Sequence, residues 1–131
     1  MKFRTEIDIA PWAEPIGYGH KIVSLGSCFA TNIAEQLRNR KFQVTASPTG
    51  ILFNPASIAA AVRDMVECRT IAQSELITLN NSYVSYKFHS TISGTTPELA
   101  ADTMNKILAA GKRTIDDADL MIITLGTAWV Y

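Results

Sequence analysis

Charge is scarce in this 131-residue chain: Asp, Glu, Lys and Arg make up 18% of it, against about 25% in an average domain. Neither sign prevails, since twelve basic residues balance twelve acidic ones. With no global positive field, and no basic cluster larger than Arg38, Arg40 and Lys41, the composition speaks against nucleic acid as a partner. Cysteine is nearly missing. Cys28 and Cys68 allow at most one intramolecular disulfide and form no Cys-x-x-Cys pair, which argues against a secreted disulfide scaffold or a thiolate zinc site and for a reducing compartment. Long apolar runs are missing too: none approaches the ~20 residues of a spanning helix. Glu6 and Asp8 fall where a signal peptide would carry its hydrophobic region. The expectation is a soluble, cytoplasmic protein that meets no membrane and needs no cofactor or metal.

What is present is apolar residue, 47% of the chain, enough for one core. A chain of this length buries roughly two thirds of its extended surface without metal or disulfide staples, so a single domain over residues 1–131 is expected. The segment Lys2 to Ile9 alternates loosely and predicts an edge strand ended by Pro11. Ile22-Val23-Ser24-Leu25 predicts a strand closing at Gly26, followed by a helix with Phe29, Ile33 and Leu37 on its inner stripe. A second strand is expected over Phe42 to Ala46 and a loop from Ser47 to Asn54. Asn54-Pro55 then supplies an N-cap and a first-turn proline for a helix buried along Ile58, Val62 and Met65 or Val66.

Glu75 to Phe88 reads as a hairpin about Asn80-Asn81, since asparagine tolerates the left-handed conformation of a tight turn. Thr96-Pro97-Glu98 opens a third helix with Leu99, Thr103, Ile107 and Leu108 inward, closed by Gly111 and Lys112-Arg113. Leu120 to Gly126 is almost continuously apolar, which predicts a strand in the middle of a sheet, covered on both faces. Strands alternating with helices imply an α/β fold, a doubly wound, flavodoxin-like parallel sheet flanked by helices. With only five residues after this most buried strand, the covering element is expected further along a longer polypeptide, of which this is the N-terminal portion.

Doubly wound sheets gather their functional groups beyond the carboxyl ends of the strands, which selects Gly26–Ala30, Ser47–Asn54 and Gly126–Val130. In the first loop Ser27 and Cys28 fall at a helix N-terminus, where unpaired N–H groups and the positive dipole end favour an anion or a thiolate. Gly26-Ser27-Cys28-Phe29-Ala30 spells the motif of the GSCFA family. Gly50-Ile51-Leu52-Phe53-Asn54-Pro55 and Thr124-Leu125-Gly126-Thr127-Ala128-Trp129-Val130-Tyr131 resemble that family's other blocks. The family is similar to the SGNH, or GDSL-like, hydrolases. That resemblance implies ester or acyl hydrolysis on a small-molecule or carbohydrate ester, a nucleophile in the Gly26-Ser27-Cys28 turn, and oxyanion or binding groups among Gly50, Asn54, Gly126 and Thr127.

Aligned without a gap on Gly-Asp-Ser-Leu, Cys28 falls under the nucleophilic serine and Ser27 under the aspartate; one gap restores Ser27 as nucleophile. Ala128 stands where the similar hydrolases carry an oxyanion asparagine, and no Asp-x-x-His block occurs in these residues, so the base is expected outside them. Blander readings accompany each position. Ser27 and Asn54 can be N-caps, Cys28 a small core residue, and Gly50 and Gly126 turn formers. His89 could reach the cleft as a weak candidate base, whereas His20 belongs to the opposite end of the sheet. Asp116, Asp117 and Asp119 read as a solvated loop rather than a metal site. A non-catalytic α/β binding or interaction domain is the alternative function, with self-association through an exposed core as its third form.

Overall fold

The computed structural model describes residues 5–127. Strand β1 (Lys21–Gly26) runs straight into helix α1 (Cys28–Asn39), and β2 (Gln43–Ala46) follows. Helix α2 (Pro55–Val66), the hairpin β3 (Ile77–Leu79) and β4 (Ser82–Val84), helix α3 (Pro97–Asp116) and β5 (Leu120–Thr124) complete the order. The main sheet is parallel, in the order β2-β1-β5, with Ile22 opposite both Val44 and Leu120. From β1 the chain therefore moves one way to β2 and returns the other way to β5. Helix α1 lies on one face, where the Ser24 hydroxyl donates to the Ala30 carbonyl (3.1 Å). Helices α2 and α3 cover the other, and this is the doubly wound arrangement.

The core lies on that second face, where Val23 and Leu25 meet Ile58 and Met65 of α2, Met104 and Leu108 of α3, and Ile71 and Phe88 from the loops. Burying each such side chain contributes about 1.5–3 kcal/mol. The caps fall as expected: Asn54 Oδ1 accepts from Ser57 N–H (2.8 Å) and Thr96 Oγ1 from Leu99 N–H (3.2 Å), each followed by proline at the first turn. Asn80 and Asn81 both take positive φ, 47° and 62°, the pair of values a type I′ hairpin turn needs.

Several expectations are corrected. Thr5 to Ile9 form no strand: Ile7 and Ile9 stand in solvent with no neighbouring strand, and Lys2 to Arg4 lie outside the described residues. On α1 the buried residues are Ala30 and Ala34, while Phe29 is exposed. On α3 they are Ala100, Ala101, Met104, Leu108 and Gly111, so Leu108 faces inward as expected while Leu99 is exposed. Small residues let each helix approach its neighbours closely, which rotates the inner stripe by one position. Met65 rather than Val66 faces the core. Gly111 does not end α3; it lies within the helix against Met65, where a Cβ would overlap the thioether. Most consequential, among the described residues β5 pairs on one side only and stands at the edge of the sheet. Its pairing partner β1 is central, and Met121, Ile123 and Leu125 remain exposed beside α2.

Candidate active site at the carboxyl ends of the strands

Because β1 leads to strands on both its sides, the crevice between the carboxyl ends of β1 and β5 is the topological switch point, the usual ligand position in such sheets. Hydrogen bonds stitch the three glycine-containing loops together there. Ser27 N–H donates to the Thr124 carbonyl (3.2 Å) and also approaches Thr124 Oγ1 (3.2 Å). Leu52 N–H donates to the Gly26 carbonyl (2.9 Å), and the Phe53 carbonyl accepts from Gly126 N–H (2.7 Å) and Thr127 N–H (3.0 Å). Gly26 is obligatory in this join. Its φ is 128°, and a Cβ would overlap the Thr124 carbonyl oxygen.

Within that frame Ser27 and Cys28 part ways. Ser27 is the N-cap of α1: its Oγ accepts from Phe29 N–H (3.3 Å) and shares a hydrogen bond with Thr124 Oγ1 (3.0 Å), and the residue is buried. Cys28 is the first helical residue and is exposed, so the reading of it as a core residue is overturned. Its N–H has no acceptor among the described residues, as expected for one of the orphan donors of a helix start.

The other candidate donors are committed elsewhere. Gly50 N–H closes a turn onto the Ser47 carbonyl (2.8 Å), and those of Gly126 and Thr127 serve Phe53. The Asn54 amide is held by Ser57, giving Nδ2–H to its Oγ (2.9 Å) and accepting its N–H. Ala128 lies outside the described residues.

His89 reaches this end of the sheet. Its N–H donates to the Thr49 carbonyl (3.0 Å), and its Cβ sits where a side chain on Gly50 would have to go. Gly50 has φ 85°, so it both makes the turn and leaves room for the histidine. The ring's Nδ1 accepts from Thr91 N–H (3.4 Å) and bonds Thr91 Oγ1 (2.9 Å). Thr91 thus engages Nδ1 and orients the ring. His20 bonds Gly17 at the far end. The acidic trio is spent on structure: Asp116 pairs with Lys112, Asp117 with Lys21, and Asp119 accepts from Lys21 N–H. No cluster able to hold a metal occurs among the described residues, and none of their helices is long and apolar enough to cross a membrane.

Thr124, which fixes Ser27 from ninety-seven positions away, was not singled out from sequence. The available signal was a lone hydroxyl closing an otherwise aliphatic strand. Among known proteins, the model of a family described as the GSCFA family matches residues 21–131. No curated protein and no solved structure matches the chain.

Proposed function

The chain belongs to the GSCFA family, and on that premise we propose that it is an SGNH-like hydrolase domain acting on an ester or acyl group through the Cys28 thiol. One observation carries the choice of nucleophile: Ser27 spends its hydroxyl as N-cap and on Thr124, while Cys28 stands exposed at the first helical position. This matches the ungapped register, with Ser27 in the capping place and Cys28 in the nucleophile's. In the reaction the Cys28 Sγ gives up its proton and attacks the carbonyl carbon, the ester C–O bond breaks, and the leaving alkoxide takes up the proton that the thiol released. Water then cleaves the thioester, releasing the acid and restoring the thiol. In this reading the Cys28 N–H, which has no acceptor among the described residues, would meet the oxyanion.

With the Gly50, Gly126 and Thr127 N–H groups already bonded, the hole is poor in donors, and each missing donor costs about 10²–10³ in rate. No described residue is placed as the base, which removes roughly a further 10²–10⁴. The 131-residue chain should therefore acylate more readily than it turns over. After incubation with p-nitrophenyl acetate, intact mass and peptide mapping should find acetyl on Cys28 well in excess of Cys68, which is equally a free, exposed thiol. Cys28→Ala should abolish this adduct and Ser27→Ala retain it; the reverse pattern would make Ser27 the nucleophile. Equal labelling of the two cysteines would favour the non-catalytic binding domain, the reading that the committed N–H donors support.

A further inference from the structure

Two apolar surfaces of this molecule match each other, and neither is covered by its own chain. The first is the side of β5 that pairs with no strand among the described residues, where Met121, Ile123 and Leu125 open onto a groove of about 540 Å³ shared with α2. The second is the arm formed by residues 5–9, whose Ile7 and Ile9 are 77% and 83% exposed. We infer that the arm of a second copy adds to the free edge of β5 as an antiparallel strand, two copies exchanging arms to form a closed dimer.

The two edges of the sheet are guarded unequally. On the β2 side, Ser47 N–H donates to the Ser24 carbonyl, so by the alternation of a strand Thr45 turns its backbone groups to β1 and Val44 turns its own outward. Arg38 Nε–H then donates to that Val44 carbonyl (2.8 Å), and β2 is only four residues long. A short strand and a charged side chain laid over it are the usual protections against edge pairing. Strand β5 has neither. No charged residue occurs from Leu120 to Leu125. Ser27 N–H donates to the Thr124 carbonyl, which directs the backbone groups of Thr124 and Ile122 to β1 and those of Met121 and Ile123 to the open side.

The arm has the length and the pattern that this edge takes. Laid antiparallel with Ile7 opposite Ile123, it sets Thr5 opposite Leu125 and Ile9 opposite Met121. Both isoleucines then enter the groove, and Glu6 and Asp8 turn to the other face. Pro11, which has no N–H, falls beyond the amino end of β5, where no ladder bond is asked of it. Two arms pairing with each other would instead set carboxylates side by side. Residues 5–16 carry Glu6, Asp8 and Glu14 and no basic residue, whereas the charged residue lining the groove is Arg63. Arm and groove are thus complementary in sign as well as in shape.

The root of the arm selects a second copy over its own edge. Trp12, Ala13, Glu14 and Ile16 border a hollow with Asp119 and Leu120, so the arm leaves the body at the amino end of β5. Pro11 and Pro15 fix their own φ and hold Ala10 and Glu14 extended. This stiff root keeps the arm off its own β5, and Ile7 and Ile9 stand in solvent. A partner's edge offers the same surface, and reciprocal exchange closes with two-fold symmetry. The amino ends of the two β5 strands would then lie near the axis.

Sedimentation velocity and amide exchange are measured on the 131-residue chain, on Ile7→Lys/Ile9→Lys and on a chain lacking residues 1–10. Both isoleucines lie outside the core of the single chain, so these changes leave it intact. The wild type should sediment as a dimer at micromolar concentration, with slow exchange at the Met121 and Ile123 N–H groups. Both arm variants should raise the dissociation constant at least about tenfold and quicken that exchange. Cross-linking shows whose arm is bound. Copies carrying Ile7→Cys are mixed with copies carrying Ile123→Cys, both on a Cys28→Ser, Cys68→Ser background, and oxidised. Cα atoms about 5.5 Å apart in such a pair suit a disulfide, so a linked heterodimer should form. A wild type that stays monomeric, association undiminished in the arm variants, as pairing of two β5 edges would give, or an internal disulfide in a monomer carrying both substitutions would overturn the assignment.

Discussion

Ser27 and Cys28 are adjacent in sequence and opposite in circumstance, because one is the cap of α1 and the other its first turn. A cap hydroxyl is turned back onto the helix it starts, and here Thr124 holds it from the other side. Ser27→Ala should therefore lower stability by about 1–2 kcal/mol in urea unfolding, through the lost cap and the partner left behind. The same contrast holds between two glycines. Gly50 has positive φ and the His89 Cβ occupies its side-chain position, so Gly50→Ala should cost roughly 2–4 kcal/mol and displace the His89 resonances. Gly126 shows no such φ, and a Cβ there would meet the Phe53 ring at 3.1 Å. Gly126→Ala should cost about 1 kcal/mol or less, since one ring edge can give way.

Between elements, the placement of His89 depends on how the segment after the hairpin is tied down. Asp64, buried on α2, pairs with Lys87 (2.7 Å) and more loosely with Arg69 (3.8 Å). Phe88, next in the chain, enters the core. Removing one member of a buried pair leaves the other uncompensated, so Asp64→Ala should cost roughly 2–3 kcal/mol, the lower end because Lys87 is partly solvated. Amide exchange at Phe88 and His89 should quicken more than at β1, which would locate the loss in this segment. The pairs on α3 are exposed and contribute little. Among them, the hydrogen bond to Asp116 raises the Lys112 pKa above its ordinary value. What that pair contributes is thus fully present at neutral pH and fades only as alkaline pH rises through the raised value. Unfolding followed across the neutral range should show no step from it.

For the whole molecule, an apolar groove of about 540 Å³ runs between β5 and α2, lined by Ile58, Val62, Val66, Met121, Ile123 and Leu125 among others. Beside it runs the second backbone edge of β5, which pairs with no strand among the described residues. An open strand edge next to an apolar groove favours association. Sedimentation at increasing concentration should show mass growing beyond that of one chain. Ile123→Lys should reduce it while changing stability by only about 0.5 kcal/mol, since Ile123 is already 49% exposed. Mass that stays at one chain throughout would show that this face does not self-associate.

Much of this architecture was legible locally because its signals are local chemistry. Proline after Asn54 and Thr96 can start a helix and hardly continue one, paired asparagines accept the turn at Asn80-Asn81, and Gly26 stops a strand. The α/β alternation followed from these, and so did the three strand-end loops. What could not be read is what depends on contacts between distant segments. A continuous apolar run suits a central strand and an edge strand equally, so only the sheet order revealed that β5 pairs on one side alone among the described residues. Helix periodicity marks a stripe, but close packing through Ala30, Ala34, Ala100 and Ala101 decided which residues lie beneath it. The roles at the site were likewise set through space: Thr124 removed Ser27 from the candidates for attack, and Phe53 and Ser47 took up the N–H groups of Gly126 and Gly50. Composition and spacing determined which residues arrive at the carboxyl ends of the strands. Which of their polar groups remain unpaired was decided only by the hydrogen bonds the fold closes, because a donor already bonded in the tertiary structure is no longer available to a ligand.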